Sequence, residues 1–236
     1  MIRFFIFFLV LISVFGFSQT NKKQAKKIEI TKVKPIPKPK GMEHLVDIQE
    51  IDPTFKIDVK YATTDNFMGK KLYFNIERIY LQKEVALRLA KCQAFLKKTQ
   101  PKYSLLVYDG VRPLSVQQAM WDALDSLPPV QRGKFVSNPA NGSVHNYAAA
   151  VDVTICDQFG KPLDMGAGYD DIREIAYPSL EAKFLAEGKL TKKQVANRKL
   201  LRRVMESQQF KNIPSEWWHF NAFPRKIVKT KYKIIP

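Results

Sequence analysis

Residues 143–155 read SVHNYAAAVDVTI. The pair Asn141-Gly142 ahead of them marks a loop. Residues 149–155 are then almost wholly apolar and short, the pattern of a buried strand. Asp152 is the exception, one carboxylate between Ala-Ala-Ala-Val and Val-Thr-Ile. An ionised carboxylate withdrawn from water is costly unless it is paired or bound to a metal. The strand that anchors the fold therefore also poses the functional question of what compensates Asp152.

On either side the patterning gives both helices and strands. Alternating apolar and polar residues over 55–61 predict a strand, and Leu81, Val85, Leu89, Cys92 and Leu96 lie on one face of a helix over 77–98. Residues 103–108 form a short apolar strand ending in the turn Asp109-Gly110, and Ser115 is placed to cap a helix over 116–124. Residues 192–208 have a helical pattern, and 216–220 return as a strand. No regular βαβ rhythm runs through this order, so the class is α+β. A chain of 236 residues suits one ordinary domain, and 45% apolar with 12% aromatic residues excludes disorder throughout. Two cysteines, Cys92 and Cys156, exclude a disulfide scaffold and read as buried thiols.

The flanks differ from this domain. Arg3, an apolar stretch over 4–15, and the small residues Gly16 and Ser18 make a secretory signal peptide over 1–18. The stretch is short of the roughly 20 residues of a membrane span, and no nearby cysteine offers a lipid attachment point. Residues 19–42 are a Lys/Pro-rich linker, and the domain is expected over 43–236 with a basic C-terminal tail. The net charge of +17 sits mainly on these flanks: residues 22–40 carry +7 and 225–233 carry +5, against only +4 over 41–224. Such flanks suit a solvated tether or contact with an anionic wall or membrane, and neither nucleic acid nor a stable protein partner is expected. An exported location, periplasmic or extracellular, follows.

Only three histidines are present, and His44 at the linker edge has no partner pattern. His145 lies seven residues before Asp152, and His219 lies in the strand that begins at Glu216. Two histidines and a carboxylate with an open fourth position make a catalytic zinc arrangement. Each histidine alone also reads as a hydrogen-bonded core residue. Strand alternation puts Glu216 on the face opposite His219, so Glu216 reaches a metal only through a bulge or strand end; otherwise it is a surface salt-bridge residue. Arg112, after the turn, is placed to stabilise an oxyanion or to pair with Asp109.

Together these segments resemble the D-alanyl-D-alanine dipeptidases, the VanX-like zinc peptidases. Lys60-Tyr61-Ala62-Thr63 is similar to an early family segment, and Asp109-Gly110-Val111-Arg112-Pro113 resembles the DGYRP turn. Ser143-x-His145 through Asp152 resembles the S-x-H-x-x-G-x-A-x-D metal motif, followed in order by Met165-Gly166, Tyr169-Asp170, Asn197-Arg198 and Glu216-Trp217-Trp218-His219. The resemblance covers about residues 46–220. It implies one zinc on His145, Asp152 and His219, Glu216 as general base and acid, and Arg112 on the tetrahedral intermediate. It also implies Ser143 on the substrate carboxylate, Asp170 on its ammonium, and Tyr61 lining the pocket.

The expected architecture is a single compact domain with a central, mainly antiparallel sheet flanked by helices and zinc at the sheet. The expected substrate is a small D,D-dipeptide, D-Ala-D-Ala, hydrolysed in cell-wall dipeptide turnover. A related zinc DD-carboxypeptidase or endopeptidase acting on peptidoglycan stems, and a non-catalytic wall-binding module, are the alternatives. One position departs from the family motif, which has glycine where this chain has Ala148. If that position needs positive φ, alanine there costs on the order of 1 kcal/mol or moves the loop that carries His145.

Overall fold

The computed structural model describes residues 37–236 except Lys134, so the expected signal peptide over 1–18 and most of the linker lie outside the described residues. In chain order the regular elements are β1 (Val46–Asp47), α1 (Ile48–Ile51), β2 (Lys56–Ile57), β3 (Tyr80–Leu81), α2 (Lys83–Thr99), β4 (Ser104–Asp109), α3 (Leu114–Asp122) and α4 (Pro129–Arg132). They continue as β5 (Ala150–Cys156), α5 (Glu181–Ala186), α6 (Lys192–Glu206), β6 (Lys211–Ile213), β7 (Glu216–Asn221) and α7 (Arg225–Lys231). The main sheet has the order β2-β4-β5-β7-β6, with β2 parallel to β4 and every other neighbour antiparallel. This is the expected α+β architecture.

The central strand is the one that the apolar run marked. All seven residues of β5 are buried, and Val151, Val153 and Ile155 belong to the hydrophobic core together with Leu89, Leu96, Leu201 and Phe220. Successive side chains of a strand face opposite sides, so Asp152 shares a face with Ala150 and Thr154. Helices α2 and α6 pack on each other, and the Cys92 thiol reaches the Met205 carbonyl at 3.7 Å. Both cysteines are free and buried, and burial pushes the Cys92 thiol up to about 12.

Three local expectations give way to tertiary contacts. The strand over 55–61 shortens to Lys56–Ile57, because one 3₁₀ turn over Lys60–Ala62 carries Tyr61 inward. The helix over 77–98 begins only at Lys83: Tyr80–Leu81 pairs with Val46–Asp47, and Gln82 donates its backbone N–H to Ala148 O at 3.0 Å. Leu81 matched the helical spacing but belongs to a strand. Helix α3 starts at Leu114 behind Pro113, so Ser115 lies within its first turn and is not the cap.

Ala148 lies in the left-handed region at φ 53°, ψ 36°, closing a 3₁₀ turn over Val144–Tyr147. Ser143 caps the start of that turn, accepting from the His145 N–H, while Asn146 Oδ1 accepts from Ser143 N–H at 2.6 Å. The turn therefore places alanine in a strained, left-handed position. Glycine there would relieve about 1–2 kcal/mol of strain and lose one buried methyl, about 0.8 kcal/mol. Ala148→Gly is expected to melt no lower than the natural chain and up to about 2–4 °C higher, as read by thermal denaturation.

Candidate active site

Sheet register assembles the site. Asp109 of β4, Asp152 of β5 and His219 of β7 are Cα partners in one row across three neighbouring strands, with an irregularity in β4 just before Asp109. His145 enters from the capped 3₁₀ turn. His145 Nε2, His219 Nδ1 and Asp152 Oδ1 form a triangle with edges of 3.1, 3.1 and 3.2 Å, all three residues buried.

Proton placement decides what this triangle is. His145 Nδ1 lies 2.7 Å from Gly110 O, which can only accept, so Nδ1 carries the proton and Nε2 presents a lone pair. His219 Nε2 donates outward to Asn221 Oδ1 at 3.0 Å, which leaves Nδ1 as a second lone pair. Two imidazole lone pairs and a carboxylate oxygen thus converge on one point. Burial opposes the Asp152 charge; protonated histidines would hold the carboxyl well below its usual range, and with both facing nitrogens unprotonated that compensation falls to a cation between the three atoms. Tetrahedral bonds of 2.0–2.1 Å place ligand atoms about 3.3 Å apart, so the triangle fits a zinc-sized ion held by these three residues.

Arg112 is bound into the same assembly. Its Nε and Nη2 donate to Asp109 Oδ2 at 3.1 and 2.8 Å, and its guanidinium lies 4.9 Å from the centre of the Tyr61 ring. Backbone and side-chain bonds join the two motif segments: Arg112 N–H donates to His145 O at 3.1 Å, and Asn146 Nδ2 donates to Arg112 O at 2.8 Å. Gly110 lets the turn lie close against the segment of β3, since a Cβ there would lie 2.8 Å from Ile79 Cγ2 and 2.9 Å from Tyr80 O. Arg112 therefore pairs with Asp109 and also lines the cavity.

Glu216 reaches the cluster through an irregular register. Asn212 pairs with Phe220 but the next residue, Ile213, pairs with Glu216, so β7 bulges between them. Asn212 Nδ2 spans the bulge, donating to Glu216 O and His219 O at 2.8 Å each. Glu216 Oε2 then lies 3.9 Å from His219 Nδ1, and burial raises its carboxyl above the ordinary range.

A cavity of about 150 Å³ opens on these groups, lined by all eight residues singled out from the sequence: Tyr61, Arg112, Ser143, His145, Asp152, Asp170, Glu216 and His219. Phe67, Met120, Phe135, Val136 and Trp218 supply apolar walls. Asp170, at φ 58°, accepts from Tyr61 Oη at 3.2 Å while its Oδ2 is buried without a protein partner. Burial, with Asp152 nearby, raises Asp170 to about 8.

A family model described as D-ala-D-ala dipeptidase matches residues 42–234. The chain belongs to this dipeptidase family. A D-alanyl-D-alanine dipeptidase of Escherichia coli (strain K12) is 35% identical over 176 residues, 75% of this chain and 83% of that one. One from Enterococcus faecalis is 32% identical over 177 residues, 69% of this chain and 83% of that one. Among solved structures, a vancomycin resistance D,D-pentapeptidase, VanY, in complex with Zn(II), has 13% identity and a TM-score of 0.35 over 65% of this chain and 79% of that one.

In this member of the dipeptidase family, several residues support the site in ways that the sequence does not reveal. Asn212 acts through a bulge that alternation does not reveal. Asn197 and Arg198 of α6, quoted above only for their order, hold the loop that presents Asp170: Asn197 Nδ2 donates to Asp164 O and Arg198 Nε to Met165 O, both at 2.7 Å. Asp109, weighed only as a partner for Arg112, also accepts from Tyr73 Oη at 2.8 Å and from Gly110 N–H at 2.9 Å. Asp109→Asn removes the nearest charge facing Arg112 and leaves Asp152 at 3.5 Å as its closest carboxylate, so the variant is expected to lose about 1–3 kcal/mol of stability in urea denaturation.

Proposed function

We propose that this chain is an exported zinc-dependent hydrolase that splits D-Ala-D-Ala into two molecules of D-alanine. The observation that carries the reading is the convergence of two outward-protonated histidines and Asp152 beside a half-buried glutamate, in a small cavity. At about 150 Å³ it is well below the roughly 300–1,000 Å³ of sites for drug-sized ligands.

Zinc held by His145, Asp152 and His219 supplies Lewis-acid polarisation and a water of lowered pKa. Glu216, with its raised affinity for a proton, takes one from the attacking water and passes it to the departing amine. Arg112, held in aim by Asp109, faces the oxyanion that develops on the amide oxygen. The unpartnered Oδ2 of Asp170, backed by Tyr61, receives the substrate ammonium, and an approaching cation favours the ionised form of that acid. The Ser143 hydroxyl, already accepting from His145 N–H, is free to donate to the terminal carboxylate. The apolar walls suit the two methyl groups.

Export rests on the pattern of residues 1–18, and the exposed lysines and arginine of α7 extend the basic character expected of the flanks toward an anionic wall or membrane. Both are part of the proposal.

The test is D-alanine release from D-Ala-D-Ala and from its N-acetylated form, with and without a chelator. Chelator-sensitive release from the free dipeptide alone is the expected result. Release from the acylated form moves the activity to a DD-carboxypeptidase. No release from either substrate with metal bound returns the chain to a binding module. In the same assay Glu216→Ala is expected to retain the metal and lose about 10²–10⁴ in kcat.

A further inference from the structure

The two oxygens of Asp152 have different surroundings. Oδ1 faces His145 Nε2 and His219 Nδ1 at 3.2 and 3.1 Å. Oδ2 turns away from that triangle, accepts a hydrogen bond from Tyr169 Oη at 3.1 Å, and lies 3.5 Å from Arg112 Nη2. The arginine contact is long, and that nitrogen is already committed to Asp109 at 2.8 Å. The tyrosine hydroxyl is thus the main hydrogen-bond donor to Oδ2.

Tyr169 itself does not line the catalytic cavity. Its ring is fixed among Tyr108, Trp218 and Tyr61, with centroids 4.8, 5.5 and 6.2 Å away. The loop that carries it is tied to α6 by Asn197 and Arg198. The position of the hydroxyl is therefore set by packing before any ligand binds. A carboxylate free to rotate can offer a cation both oxygens or either one; a carboxylate with Oδ2 held from behind offers one.

We propose that Tyr169 is a positioning residue for the metal centre: its hydroxyl holds Asp152 so that only Oδ1 is presented to the cation. A hydrogen-bonded partner behind a ligating group typically changes metal affinity by 10–100-fold. The same bond keeps the coordination number low, leaving positions open for water and substrate. This inference rests on the reading that His145, Asp152 and His219 bind metal, and it says nothing about which peptide is cut.

The test uses the full chain and its Tyr169→Phe variant, which keeps the ring and removes only the hydroxyl. Zinc affinity is read by competition with a chromophoric chelator, and the geometry by visible absorption of the cobalt(II)-substituted protein. Tyr169→Phe is expected to bind zinc about 10–100-fold more weakly, and its cobalt bands to weaken as Asp152 becomes bidentate and the coordination number rises. Tyr108→Phe, in the same aromatic cluster but without contact to Asp152, is expected to change neither. Zinc affinity within about twofold of the natural chain, with an unchanged cobalt spectrum, would overturn the proposal. So would an equal loss in Tyr108→Phe, since packing would then be the cause. Failure of the unmodified chain to bind zinc would remove the metal centre itself, and this proposal with it, whatever the peptidase assay shows.

Discussion

A single carboxylate on the most deeply buried strand constrains the rest of the molecule. Asp152 lies in the middle of β5, where every neighbour in the strand is withdrawn from water. Such a charge needs partners, and the fold brings groups to it from four directions: Arg112 and Tyr169 as donors, and two imidazoles that would share a cation with it. His219 arrives by strand register, His145 by a capped turn, Arg112 by a tight turn after β4, and Tyr169 by a loop tied to α6. Each of those placements depends in turn on a second bond: Asn212 across the bulge, Asn146 on the Arg112 carbonyl, Gly110 O on His145, and Arg198 on the loop.

The charge balance of the cavity points to its occupants. Asp109, Asp152, Asp170 and Glu216 gather around one guanidinium, that of Arg112. Burial raises both Asp170 and Glu216, and neighbouring acids add to the effect. A site with this excess of acid is completed by cations. A divalent metal at the histidines and a substrate ammonium at Asp170 would neutralise it, and both belong to the activity proposed for this member of the dipeptidase family.

Much of this was legible in the sequence because it follows from rules of short range. Asp152 was conspicuous as the one charged intruder in an apolar run, and three histidines left few ways to build a metal site. The α+β class followed from the mixed periodicities, and the resemblance to the dipeptidases supplied the order of the motifs. Alternation also posed the right problem at Glu216, which needed a bulge to face His219, and a bulge is present. The readings that failed were those that tertiary pairing overrides. Leu81 matched a helix face yet sits in a strand because Val46–Asp47 pairs with it. The strand proposed over 55–61 yields to the turn that brings Tyr61 into the cavity. Asn212 acts four and seven residues ahead across a bulge, and Tyr169 acts on Asp152 from a separate loop; no periodicity encodes either geometry, so both roles emerge only from the fold.

The chemistry of the site depends most directly on the three inward-facing atoms being metal ligands. Crystals grown with zinc and measured on either side of its absorption edge would test that claim. One anomalous peak per chain is expected, bonded to His145 Nε2, Asp152 Oδ1 and His219 Nδ1, with Asp152 Oδ2 still on Tyr169. An empty triangle with a proton shared between the histidines, or zinc bound elsewhere, would contradict it.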